Sequence, residues 1–315
     1  MKEKEEKKRG ESKFWGSIFG VMLTAVLLLF GLGGMLSNIL AVVGGVAQGR
    51  AVMDVLKNIK VYMQEDFTIF LLGGYAGLAI AAVIFILFLA ARHKDVFRTL
   101  KPGYKNNGLS TLLIGFAIGF GMNMLGALIA MLGGNLSLKF VGMNVGLLLL
   151  SFVLLAGQCI AEEVAYRCYV FRMINKRHPA YVAVLFSAGL FAVTHMGNPG
   201  VGILAVINIF LIGIFLAETV FYFDNIYIAI GFHILWNFTQ NFILGLPNSG
   251  TQAVYSLWGI ESQSDGVLYS TAFGIESTLT ATILIVLGIV IVTVIGQKRK
   301  NIFAKESICP ILDEN

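Results

Sequence analysis

The chain has 315 residues, of which 57% are hydrophobic and only 13% charged, with a mean hydropathy of +0.80. A soluble globular domain is about 45–50% apolar and about 25% charged, so this composition excludes an ordinary soluble fold and points to a bilayer. The net charge of +5 does not signal nucleic acid, because the basic residues flank apolar segments, where they set topology.

Residues 1–13 are charged with mixed sign, and the apolar stretch that follows is too long for a cleavable signal sequence. A membrane-crossing helix needs about 20 mostly apolar residues. In chain order the candidate spans are 14–36 (extended by the Gly-rich stretch 37–46), 68–91, 109–132, 141–171, the short 180–196, 201–222, 226–246 and 273–296. The expected fold is therefore all-α, a polytopic transmembrane helical bundle of about eight spans. With the N-terminus inside, the cytoplasmic segments carry 18 of the 23 Lys and Arg, and the external loops carry four: Arg50, Lys57, Lys60 and Lys139. This asymmetry predicts a multi-pass protein of the cell membrane with both termini cytoplasmic. No internal repeat is visible, which disfavours a transporter built from inverted halves. The loop 247–272 is the longest external one and reads either as a cover for a cavity or as a plain connector. Cys159, Cys168 and Cys309 are too few and too scattered for a disulfide framework or a paired-cysteine metal site. Cys309 is not placed for prenylation.

Ionisable residues inside apolar spans are costly, about 2.5–3.5 kcal/mol each on insertion scales, and mark interior or wet sites. Those that stand out in the candidate spans are Glu162, Glu163, Arg167, His195, Glu218 and His233. His93 and His178 fall in basic loops and read as interfacial. In the fourth span Glu163 and Arg167 are four apart, share a helix face and can pair. Glu162 is turned about 100° from Glu163 and has no basic partner on its own helix, which suits it to take a proton near neutral pH. His195 closes the next span, with Phe191 four residues before it. His233 and Asn237, again four apart, present two polar groups to one side. Counted from the cytoplasmic boundaries at 1.5 Å per residue, Glu162 lies about 15 Å deep, His195 about 22 Å and His233–Asn237 about 10–17 Å. These depths bring them into one band of a core about 30 Å thick.

Glu162-Glu163-xxx-Arg167, Phe191-xxx-His195 and His233-xxx-Asn237, in this order and each in an apolar helix, resemble the three-motif signature of the CPBP family, also called Abi or type II CAAX prenyl endopeptidase-like. The element Phe273-Gly-Ile-Glu276-Ser277 is similar to one in many bacterial members. The resemblance divides the chain into N-terminal helices without a motif (1–135), a catalytic core (136–246) and an external loop, last span and tail (247–315). It implies an intramembrane endopeptidase acting on a membrane-associated peptide or protein. Glu162 would activate the attacking water with help from His195, His233 and Asn237 would stabilise the oxyanion, and Glu163 and Arg167 would hold the helix in place. Cofactor use stays open. Glu162, His195 and His233 are the candidate zinc ligands, and a metal-free glutamate mechanism fits the same residues. The alternatives are a non-catalytic immunity or scaffold protein of the membrane and a proton-coupled transporter.

Overall fold

The computed structural model describes residues 17–300. The charged segment 1–13, the first residues of the first predicted span, Cys309 and the tail from 301 lie outside the described residues. Helices dominate, and their starts follow local chemistry. Helix α1 (Ile18–Ala47) begins where the Ser17 hydroxyl accepts from the Gly20 N–H at 3.1 Å. Helix α3 (Phe67–Arg92) begins where the Asp66 carboxylate accepts from the Ile69 N–H. Such side chains satisfy donors that a helix N-terminus leaves without partners. Between them lies α2 (Val52–Glu65), a helix missing from the predicted elements. It is amphipathic, with Val55 buried and Val52, Met53 and Leu56 exposed. With four charged residues it is too polar to register as a span.

Helices α4 (Leu109–Leu132), α5 (Val145–Asn175), α6 (Ala180–His195) and α7 (Ile203–Phe223) follow. Next comes α8 (Ile226–Phe238), continued by a π turn at Thr239–Ile243, and last α9 (Leu279–Lys300). Asn144 and Asn225 cap α5 and α8 through the Leu147 and Ile228 N–H groups, each at 3.1 Å. Among the described residues six helices, α1, α3, α4, α5, α7 and α9, are long and apolar enough to cross a membrane. The expectation of about eight spans depends on α6 and α8 joining them, and α6 is only 16 residues long. The last helix starts later than the predicted 273, because Ile275–Ser277 forms a separate 3-10 turn. Helix α5 starts at Val145, later than the predicted 141, and the chain before it forms a strand. Strand β1 (Leu136–Phe140) pairs antiparallel with β2 (Trp258–Gln263), a small addition to an otherwise helical bundle. This pairing gives the loop 247–272 regular structure that its polar composition does not announce.

The bundle is held by one hydrophobic core running from Val21 to Ile285, while Leu149, Val153, Leu287 and Ile291 stay exposed outward, as lipid contact requires. Helices α4 and α8 touch backbone to backbone. A Cβ at Gly115 would collide with the Ile228 carbonyl, and one at Gly231 with the Leu112 carbonyl. Small residues are the usual means of such close approach in membranes, where apolar burial alone does not drive association.

Charged groups gather at one end of the bundle. Arg172 Nη1 contacts Asp224 Oδ1 at 2.8 Å, the Tyr104 hydroxyl donates to Asp224 Oδ2 at 3.1 Å, and Lys176 pairs with Asp95. The loops after α3, α5 and α7 therefore share one end, as alternating spans demand. The asymmetry of Lys and Arg predicts that this end is cytoplasmic. Reporter fusions after residues 104, 178 and 300 are expected to read inside and a fusion near 258 outside; an external reading for a terminus would overturn this orientation.

Candidate active site

Helix α5 changes register immediately after the paired acids, where a π segment covers Val164–Phe171. Single π turns inside α-helices are frequent at functional sites. Glu163 and Arg167 nevertheless pair across their four-residue spacing, Arg167 Nη1 donating to Glu163 Oε1 at 3.0 Å, with both side chains fully buried. The guanidinium also lies 4.3 Å from the Phe191 ring centre. A second donor reaches the same carboxylate oxygen: His233 Nδ1, 2.9 Å away on α8. Glu163 thus ties α5 to α8, a link beyond the local pair expected from spacing.

Because a carboxylate only accepts, the His233 proton toward Glu163 sits on Nδ1, and Nε2 turns to Glu162, whose Oε2 is 3.9 Å away. Glu162 is 3% exposed. Its other oxygen takes a hydrogen bond from Gln158 Nε2 at 2.9 Å, one helical turn earlier, while Oε2 has no hydrogen-bond partner among the described residues. Glu162 therefore has no basic partner on its own helix, where Arg167 is taken by Glu163, but faces His233 on α8.

His195 is the last residue of α6. Its Nδ1 is 2.7 Å from the Phe191 carbonyl oxygen, which can only accept, so the proton is on Nδ1 and Nε2 is the nitrogen left for a ligand. Phe191 also organises the two histidines, its ring centre lying 4.6 Å from that of His195 and 5.9 Å from that of His233. Asn237, one turn beyond His233, accepts from Asn248 Nδ2 at 3.2 Å through its carbonyl, while its own Nδ2 has Cys159 Sγ at 3.8 Å.

Glu162, His195, His233 and Asn237 all line one cavity of about 230 Å³. Glu163 and Arg167 stand behind that wall. Glu218 does not join them; its carboxylate accepts from Thr293 on α9 at 2.7 Å. The cavity has walls that the motifs do not foretell. Phe30, Met63, Phe70 and Tyr75 come from the N-terminal helices, and Asn248, Ser249 and Thr251 from the loop 247–272. Glu276 lines it as well and is 3% exposed. Burial pushes its carboxyl up from the ordinary value, against hydrogen bonds from Ser249 and Trp236 that pull it down. The sequence signal for Glu276 is the element Phe273-Gly-Ile-Glu276-Ser277, which carries a resemblance but no assigned role. For the aromatic walls no signal distinguishes cavity lining from packing.

A zinc ion takes three or four N, O or S donors at about 2.0–2.3 Å. Among the described residues no three His, Cys, Asp or Glu side chains are grouped closely enough to hold a metal ion. Glu162, His195 and His233 as placed do not fit the zinc set that their types allowed.

A helical, multi-pass membrane protein with buried carboxylates, a buried amide and two imidazoles around one cavity has the parts of a hydrolase acting inside the bilayer. Residues 144–239 match the family model described as Type II CAAX prenyl endopeptidase Rce1-like. The matched stretch contains all three motifs. No curated protein and no solved structure matches the chain.

Proposed function

We propose that the chain is an intramembrane endopeptidase that hydrolyses a peptide bond of a membrane-associated protein or peptide, with Glu162 as general base. The observation that supports this most directly is the free oxygen of Glu162 at 3.9 Å from His233 Nε2 in the cavity wall. A water lying against both groups would be held between a proton acceptor and a histidine whose orientation Glu163 fixes. Glu162 takes one proton from that water as its oxygen attacks the scissile carbonyl carbon, and His195 Nε2 helps to orient the water. The carbonyl oxygen becomes an oxyanion. His233, carrying a proton on each nitrogen, donates from Nε2, and Asn237 donates from its side-chain amide. Donors fixed in advance at a developing charge supply much of the rate in such reactions. Glu162 then returns the proton to the departing nitrogen, the C–N bond breaks, and a carboxylic acid and an amine leave. Water activation is assigned to the carboxylate itself, since the candidate donors are not placed around a common metal position.

The test uses the full chain in detergent and a library of internally quenched peptides. Cleavage is expected with the wild type and not with Glu162→Ala, and it should persist after treatment with a strong zinc chelator. Failure of the wild type to cleave any peptide in detergent or liposomes would count against the peptidase reading. Loss of cleavage with the chelator and its return with zinc would overturn the metal-free step.

A further inference from the structure

We infer that Asn248 and Glu276 are positioning residues that fix the direction of the Asn237 side-chain amide, so that its NH2 and not its carbonyl oxygen is presented to the oxyanion. The inference rests on the peptidase reading, in which Asn237 is a donor. An asparagine amide has a donor end and an acceptor end of nearly equal size, and its hydrogen-bond partners decide which end points where.

The direction is set at Glu276, in the 3-10 turn before α9. Its Oε1 accepts from Trp236 Nε1 at 3.1 Å and Asn248 Nδ2 at 3.3 Å. Its Oε2 accepts from the Ser249 backbone N–H at 2.6 Å and the Ser249 hydroxyl at 3.1 Å. An indole N–H and a backbone N–H can only donate, so Glu276 must serve as acceptor toward them. An ionised carboxylate has about four acceptor sites, and these four donors fill them. Asn248 can then offer Glu276 only its NH2, and the same NH2 donates to Asn237 Oδ1 at 3.2 Å. With its carbonyl engaged, Asn237 turns its own NH2 the other way, where the neighbour is Cys159 Sγ at 3.8 Å. Sulfur is a weak acceptor, so the amide hydrogens remain available to a stronger one.

The segment carrying Asn248 is itself held. Gln240 Nε2 donates to the Pro247 carbonyl at 2.5 Å, Gln240 accepts from Asn123 at 2.8 Å, and the Asn248 and Thr251 backbones bond each other in both directions at 2.9 Å. The external loop thus completes the site by orienting a donor on α8. Asn237, Asn248 and Glu276 are all buried, so solvent does not compete for this chain of bonds.

The experiment is a double-mutant cycle on kcat and KM, using an internally quenched peptide selected from the library. Asn237→Ala is expected to lower kcat about 100-fold, as loss of an oxyanion donor does. Asn248→Ala should lower kcat about tenfold with KM within about twofold, since only the orientation of that donor is lost. In the Asn237→Ala background, Asn248→Ala should cost nothing further. Asn248→Leu keeps the volume, removes the donor and should behave as Asn248→Ala; it replaces that variant if the smaller side chain prevents folding. An unchanged kcat overturns the inference, as does a tenfold loss that multiplies with that of Asn237→Ala. Melting temperatures of the same four proteins read the bond independently of turnover. If the wild type cleaves no peptide, the peptidase reading fails by itself, while coupled melting shifts still support the orientation of Asn237 by Asn248 and additive shifts overturn it.

Discussion

Glu162→Gln is expected to lower kcat about 10³-fold, within the range a general base contributes, while the protein folds and melts like the wild type. Glutamine keeps the shape of the side chain and can keep the oxygen that accepts from Gln158. The end it changes is Oε2, which has no hydrogen-bond partner among the described residues. An amide there cannot take a proton from water. Turnover of the selected peptide and a detergent melting curve check the two halves. Full turnover in this variant would remove Glu162 from the role of base.

Glu163→Gln should behave in the opposite way and lose stability together with activity. Glu163 Oε1 receives Arg167 Nη1 and His233 Nδ1 at once, from two helices. Neutralising it strands Arg167, which is fully buried. Breaking one partner of a buried pair costs about 3–5 kcal/mol. It also releases the ring of His233, so the remaining folded protein should turn over poorly. Arg167→Ala leaves Glu163 without its cation and Phe191 without the guanidinium 4.3 Å from its ring centre, and should resemble Glu163→Gln more than Glu162→Gln. Melting curves beside turnover for the three variants separate anchor from base. A Glu163→Gln protein as stable as the wild type, beside a Glu162→Gln protein that unfolds, would reverse the two roles.

Both outcomes draw on information of two kinds. Hydropathy alone located the apolar helices, since about 20 apolar residues are needed wherever a chain crosses a bilayer, and the family match over residues 144–239 falls on the part where the motifs stand. The Glu163–Arg167 pair was legible because helix geometry places residues four apart on one face whatever surrounds them. The same periodicity set Glu162 off that face and put His233 in line with Asn237. The bond from His233 to Glu163 spans 70 residues of sequence and depends on how α5 and α8 are rotated against each other, which no local period encodes. The place of Glu276 and Asn248 beside Asn237 follows from the path of the loop 247–278, whose polar composition fits a connector equally well. Helix α2 and the β1–β2 pair stayed hidden because an amphipathic helix fails a test for continuous apolar length and two short strands gain stability only by meeting. The sequence therefore determined which side chains are expensive to bury and which neighbours lie on their own helix. The tertiary structure decided which of them face one another across helices, because those contacts are set by packing, as where Gly115 and Gly231 let α4 close on α8.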